Sequence, residues 1–194
     1  MQVANRRSQA ERREETRGQL LAAARKLFAE KGFADTSTPE IVAAAGVTRG
    51  ALYHHFADKT ALFAAVVEQE HQDRAAAIEA AGDTMPADPL AALLAGSDAF
   101  FAAMADPGRR RILLVDAPAV LGRDMLDDID ARTGLETLVC GLRDAMEAGF
   151  IRPLPVLPLA QLFGALYDRA ALAPIEQQDD FRTAMAAMLE GLRA

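Results

Sequence analysis

The sequence contains one cysteine and no long apolar run, and each shortage excludes a class of protein. Among 194 residues Cys140 is the single cysteine, so an internal disulfide is excluded and a reducing compartment is favoured. No stretch reaches the roughly 20 apolar residues that a membrane span needs. The first apolar run, residues 20–24, is short and follows a charged stretch, unlike a signal peptide. We therefore expect a cytoplasmic protein without a membrane partner.

Alternating β-branched runs are also missing, while apolar residues recur at helical spacing. Half of the residues are apolar, which is enough for a sizeable core. The sequence predicts an all-α fold of about nine helices, with loops at 82–89 and at the proline-rich 152–158. The expected helices lie near 16–31, 38–45, 49–55, from 58 onward, 89–105, 109–115, 119–148 with a break near Gly134, 158–172 and 177–192.

Catalytic and metal-binding motifs are lacking as well. Ser97 has no nucleophile-elbow glycines around it, and neither a zinc-protease motif nor a phosphate-binding loop is present. His54 and His55 are adjacent, so their side chains point about 100° apart on a helix and make a poor metal pair. Asp127, Asp128 and Asp130 fit an exposed acidic helix face. We expect no enzyme activity, no cofactor and no metal.

Charge is distributed unevenly along the chain. The net charge is −7, yet residues 1–59 hold ten Lys and Arg against seven Asp and Glu. Residues 60–194 hold eleven against twenty-one. This asymmetry favours contact between the N-terminal part and phosphates, although basic N-termini are also common in disordered tails.

Residues 37–56 have the pattern of a helix-turn-helix. Ser37 and Glu40 form a capping box, and Pro39 is tolerated in the first helical turn. Gly46 permits a tight turn between two short helices, and Thr48 can cap the second. Apolar side chains can lock the two helices together. These are Ile41, Ala45, Val47, Leu52 and Phe56.

The outward face of the second helix is suited to a DNA groove. Thr48 and Arg49 can reach base edges or phosphates, and Gly50 allows close backbone approach. Tyr53 and His54 can donate hydrogen bonds to phosphate oxygens. Lys59 follows near the start of the next helix.

Residues 15–65 resemble the DNA-binding domain of TetR-family regulators. The resemblance is carried by residues 44–56 (AAGVTRGALYHHF), by Lys59 and Leu62-Phe63, and by LFAEKGF at 27–33. It implies a three-helix DNA-binding domain at 15–60 and a ligand-binding and dimerisation domain at 61–194. Residues 1–14 have almost no apolar content and are expected to form a flexible basic arm. The DNA-binding residues expected on this basis are Arg17, Ser37, Thr48, Arg49, Gly50, Tyr53, His54 and Lys59.

Two positions depart from the family pattern. Val42 stands where alanine is usual, so the helix crossing is expected to adjust slightly. Pro39 stands where a polar residue often reaches DNA, so no base contact is carried over to that position. Residues 115–122 (VDAPAVLG) are similar to a segment found in one C-terminal subgroup of the family. This similarity does not identify a ligand.

The resemblance also implies a homodimer, with a four-helix interface formed by the last two helices of each protomer. In such a dimer, the distance between the two recognition helices matches the distance between successive major grooves of DNA. The last two helices carry apolar stripes that are suited to dimerisation, although some residues of these stripes must also form the core of the protomer. The candidates are Leu159, Leu162, Phe163, Leu166, Tyr167, Phe181, Met185, Met188, Leu189 and Leu192.

An unidentified small-molecule ligand is the third expected partner, after operator DNA and a second copy of the chain. Middle helices could enclose it, although a Met and aromatic stripe is more often core than pocket. The candidates are Phe100, Phe101, Met104, Met125, Ile129, Leu138 and Leu142.

The expected function is therefore a ligand-released repressor at a palindromic operator. The alternatives are an activator or a ligand-independent regulator of the same fold. A helical adaptor is disfavoured because it leaves Arg49, Tyr53 and His54 unexplained.

Overall fold

The computed structural model describes residues 8–82, 88–133 and 135–194, which divide into two compact units, Met1–Val67 and Glu68–Ala194. No single helix in these residues has the length and apolarity of a membrane span. Two helices, Pro89–Ala103 and Pro107–Leu121, reach that length and apolarity only when taken together, and the chain bends by 94° between them. Residues 1–7 of the predicted arm lie outside the described residues, as do the centre of the 82–89 loop and the break at Gly134.

The first unit contains three helices and the start of a fourth. They are α1 (Gln9–Lys31), α2 (Thr38–Ala45), α3 (Arg49–His55) and α4 (Lys59–Gly82). Phe28 on α1 lies at the centre of the core, with its ring 5.0 Å from that of Phe63 and 5.8 Å from that of Phe33. Because α4 adds Phe63 and Val66 to this core, the unit extends past the predicted boundary at residue 60.

Helix α1 begins earlier than the sequence analysis predicted. It starts at Gln9 because Ser8 and Glu11 form a capping box: the Glu11 amide donates to Ser8 Oγ at 3.1 Å, and the Ser8 amide donates to Glu11 Oε2 at 2.6 Å. Residues 9–14, expected in the arm, are therefore helical. The predicted end is confirmed, with Gly32 at positive φ after Lys31.

The helix-turn-helix forms as predicted. Ser37 and Glu40 make the capping box of α2, and Gly46 closes that helix in the left-handed conformation, with φ 67° and ψ 27°. Thr48 then caps α3 by accepting a hydrogen bond from the Ala51 amide at 3.2 Å. Because a Cβ at Gly46 would be strained, the turn requires glycine.

The second unit contains the rest of α4 and the C-terminal helices. These are α5 (Pro89–Ala103), α6 (Pro107–Arg110), α7 (Ala117–Leu121), α8 (Arg123–Thr133), α9 (Leu135–Glu147), α10 (Val156–Ala171) and α11 (Gln178–Glu190). Helix α5 packs against α9 and α11, and α10 packs against both of those helices. The predicted proline loop is shorter than expected, since α10 begins at Val156 and accommodates Pro158 in its first turn.

A π-helical turn, Arg111–Asp116, separates α6 from α7. Sequence analysis predicted an ordinary helix near 109–115. Pro118 has no amide proton for the Leu114 carbonyl, and in an α-helix its ring would clash with that carbonyl. The wider π turn relieves this conflict, and the chain continues as helix to Leu121.

Candidate functional site

Helix α3 presents a polar face to solvent and an apolar face to the core. Thr48, Arg49 and Gly50 are exposed at its start, and the exposed fraction of Tyr53 is 43%. Leu52 is fully buried on the opposite side. The arrangement matches the geometry predicted for a groove-reading helix. His54 is exposed on the same face, and Phe56 is buried just after the helix.

Tyr53 is held in place by its neighbours on α2 and α3. The Arg49 guanidinium lies 5.5 Å from the centre of the Tyr53 ring. Hydrogen bonds, first from Arg49 and then from Thr38, lower the pKa of the Tyr53 phenol below its usual value. Arg49 and Thr38 are therefore polar neighbours of the exposed phenol.

Lys59 has partners within the protein. Its Nζ donates to the carbonyls of Phe33 at 2.8 Å and Thr36 at 2.9 Å, and lies 4.0 Å from the centre of the Phe33 ring. The lysine therefore fastens the loop between α1 and α2. The sequence placed Lys59 among the DNA-binding residues and gave no sign of this anchoring.

Ser37 and Arg17 also have structural roles. Ser37 Oγ caps α2 and donates to Glu40 Oε2 at 2.8 Å, and Glu40 pairs with Lys31 at 2.6 Å. The Lys31 ammonium, followed by the Ser37 bonds, lowers the pKa of Glu40 to about 2. Arg17 lies with its guanidinium 5.7 Å from the Phe56 ring centre.

The early start of α1 creates a basic groove that sequence analysis missed. Its first turns bring Arg12 and Arg13 beside His54 and His55 of α3, around an open groove of about 660 Å³. Burial lowers the pKa of His55, and His54, Arg13 and Arg17 lower it further. A usable signal was present, since Ser8 and Glu11 have capping-box spacing.

A separate cavity of about 190 Å³ lies within the second unit. Two of the predicted ligand residues, Phe100 and Leu138, line it. The other lining residues come from α4, α5, α9 and α10. They are Arg74, Ile78, Glu79, Ala92, Leu93, Gly96, Ser97, Leu135, Thr137, Gly141, Gly164, Tyr167 and Asp168.

The remaining predicted ligand residues lie away from this cavity's lining. Phe101, Met104 and Leu142 are buried in the core, as is Ile129 on α8. Met125 is 45% exposed. Helical spacing identified apolar positions correctly but could not separate a cavity wall from filled core, because that depends on how four helices meet.

The predicted association stripe divides into two sets. Leu162, Leu166 and Met188 are exposed, at 64%, 39% and 42%. Leu159 and Phe181 are half-buried. The other five are buried within the protomer and belong to its own core. These are Phe163, Tyr167, Met185, Leu189 and Leu192.

Two family profiles match the chain, one within each of the two units. Residues 20–66 match the profile of bacterial regulatory proteins of the tetR family, and residues 90–194 match the tetracyclin repressor-like C-terminal domain. A solved TetR-family transcriptional regulator from Pectobacterium atrosepticum is 36% identical, with TM-score 0.78, over 97% of this chain and 98% of that one.

Curated relatives match over the N-terminal part. The regulator AcrR of Shigella flexneri is 41% identical over 80 residues, 41% of this chain and 37% of AcrR. The transcriptional activator FasR of Mycolicibacterium smegmatis is 44% identical over 69 residues, 36% of this chain and 31% of FasR. The chain thus spans about a third of the length of these relatives.

The C-terminal match covers more than half of the chain, and the solved relative is similar along nearly its whole length. These matches agree with an all-α fold whose N-terminal unit contains a helix-turn-helix with an exposed polar face. The chain belongs to the TetR family of DNA-binding transcriptional regulators.

Proposed function

We propose that this protein is a cytoplasmic repressor that binds a palindromic operator as a homodimer and is released by a small molecule. The observation that carries the proposal is the exposed polar face of α3, fixed by the left-handed turn at Gly46. Arg49 and Tyr53 would contact bases and phosphates, with Thr48, Gly50 and His54 beside them.

The groove between α1 and α3 supports a larger contact with the DNA backbone. Arg12 and Arg13 of α1 lie beside His54 and His55, so two guanidinium groups flank this side of α3. Such groups bind phosphate oxygens bidentately. Arg17 would join them. Lys59 and Ser37 would act chiefly by holding the domain in shape, because both side chains already bond within the protein.

Association of two protomers is supported by the exposed apolar side chains of α10 and α11. Leu162 and Leu166 lie one helical turn apart on α10, and Met188 is exposed on α11. Exposed apolar residues in contiguous stripes mark association surfaces. Exposed small residues between them, Ala165, Ala184 and Ala187, allow close approach of helices.

Release by a ligand is supported by the 190 Å³ cavity of the second unit. A ligand that binds one conformation better than another shifts the population toward it, by no more than its differential affinity. We infer that the ligand-bound state has the lower operator affinity.

The test is selection of bound sequences from random duplex DNA, followed by titration of the enriched site at two salt concentrations. We expect a near-palindromic site and an affinity that falls steeply with salt, since phosphate contacts release counterions. Recovery of unrelated sequences with no symmetric element would contradict the proposal.

Activation is the second candidate, favoured by the similarity to the activator FasR within the DNA-binding part. In vitro transcription from a promoter containing the selected site separates the two. The repressor lowers transcript yield when added alone, whereas an activator raises it.

A further inference from the structure

We propose that the cavity of the second unit takes an uncharged single-ring aromatic molecule bearing a hydroxyl group. This inference rests on the proposed ligand response and names the chemistry of the ligand. It follows from the size of the cavity, the nature of its walls and the two buried hydroxyl groups of its lining.

Size limits the ligand to about one ring. An engineered protein cavity of about 150 Å³ lined by apolar side chains holds benzene. At about 190 Å³, this cavity has space for a six-membered ring with one or two small substituents. A ligand of two fused rings would extend beyond this volume.

Much of the wall is apolar and suits an aromatic ring. Leu93 and Phe100 of α5, Ile78 of α4 and Leu138 of α9 surround the space. Gly164 on α10 completes the wall, and a Cβ built there meets nothing within 4 Å. The absence of a side chain at Gly164 therefore contributes to the open volume.

The lining of the cavity includes two buried hydroxyl groups. Ser97 and Tyr167 are each 7% exposed, and the Ser97 hydroxyl lowers the pKa of the Tyr167 phenol against the larger effect of burial. Burial raises the pKa of the Tyr167 phenol, so it stays protonated at neutral pH. Two neighbouring hydroxyls offer a donor and acceptor sites to a ligand even when they bond each other. A ligand hydroxyl can use both.

The charged side chains of the lining disfavour an anion. Glu79 and Asp168 contribute two carboxylates against the single guanidinium of Arg74. That guanidinium already bonds His71 Nδ1 at 3.0 Å and lies 5.7 Å from the Phe100 ring centre. A ligand carboxylate would add a third negative charge beside these two, and like charges repel.

Isothermal titration of the full-length protein with phenol, toluene and benzoate tests the proposal without DNA. We expect phenol to bind about three- to tenfold more tightly than toluene, the range of one neutral hydrogen bond, and benzoate to bind most weakly. Benzoate binding tighter than phenol, equal binding of phenol and toluene, or no phenol binding at millimolar concentration would overturn it.

Two variants locate the site. Gly164→Leu fills the cavity and should abolish binding of phenol and toluene, whereas Gly18→Leu, another helical glycine with open space at its Cβ, should leave both unchanged. Ser97→Ala should weaken phenol binding to the toluene level and leave toluene unchanged. Unchanged phenol affinity in either cavity variant, with the far-ultraviolet circular dichroism of the parent, would refute the location.

The two proposals fail in different ways. If the proposed function is wrong, the selection will recover no operator, irrespective of the result of the phenol titrations. Loss of the ligand inference would appear as normal operator binding with no phenol binding to the free protein. When both hold, phenol lowers the operator affinity of the parent and leaves that of Gly164→Leu unchanged.

Discussion

The exposed ring of Tyr53 packs against the guanidinium of Arg49, 5.5 Å from the ring centre. Arg49 and then Thr38 lower the pKa of its phenol. Truncation to alanine removes a phosphate donor and also frees Arg49. Phenylalanine keeps the ring and removes the hydroxyl alone. The side chain should therefore serve both contact and orientation.

We predict that Tyr53→Ala lowers operator affinity at least tenfold, while Tyr53→Phe lowers it several-fold. Both variants should elute as the parent oligomer in size-exclusion chromatography, because Tyr53 lies far in sequence from α10 and α11. Gel-shift titration measures the affinities. Unchanged affinity of Tyr53→Ala would remove Tyr53 from the interface.

The hydrogen bonds of Lys59 are an example of a structural role that the sequence does not predict. Its spacing after α3 predicted DNA contact, and that prediction stays open. The bonds to the Phe33 and Thr36 carbonyls depend on the path of a loop more than twenty residues earlier. Local pattern carries no information about such a partner.

We predict that Lys59→Met destabilises the protein by about 1–3 kcal/mol, because two buried or half-buried carbonyls lose a charged donor. Urea unfolding followed by circular dichroism measures this. Lys26→Met is the control, since Lys26 is an exposed residue of α1, and its effect should stay within about 0.5 kcal/mol. Equal midpoints for the two variants would contradict the anchoring role.

Glu40 supplies a test that depends on pH. Its folded pKa of about 2 lies below the usual 4.5, so its stabilising effect is present above pH 4.5 and is lost as pH falls toward 2. Glu40→Gln should melt at a lower temperature than the parent at pH 6, and the difference should narrow from pH 5 to pH 3. Lys31→Met should follow the same trend, because it removes the partner. A difference constant with pH would contradict the ion pair.

At the scale of elements, sequence predicted most helices because each carries its own signals. The α2 capping box, the Gly46 turn and the Thr48 cap were readable from residues 37–48 and are confirmed. The π turn before Pro118 was missed, since a proline in a helical pattern can break, kink or widen a helix. Cavity walls were missed because they depend on packing between helices.

A matched pair of glycine variants tests the turn between α2 and α3. Gly46→Ala places a Cβ at φ 67° and should destabilise the protein by about 1–2 kcal/mol. Gly18→Ala lies within α1 with open space around it and should stabilise by up to about 1 kcal/mol. Opposite shifts of the urea midpoint are expected. Shifts of the same sign would show that backbone conformation does not limit the turn.

At the scale of the whole molecule, the exposed apolar side chains of α10 support the proposed dimer. Sequence analysis placed ten residues in one interface, but five of them are buried within the protomer. Helical periodicity marks an apolar stripe without saying which neighbour covers it. The exposed remainder, led by Leu162 and Leu166, is what a second copy would bury.

The last prediction concerns the exposed apolar residues of α10. Leu162→Glu combined with Leu166→Glu should convert the dimer to a monomer, measured by light scattering after size-exclusion chromatography, because two carboxylates would have to be desolvated at the interface. Val115→Glu is the control, since Val115 is 54% exposed in the π turn, and it should stay dimeric. The monomer should retain its helical circular dichroism but lose most operator affinity, because one recognition helix then binds a single half-site. A dimeric double variant with parental operator affinity would place the interface on another face.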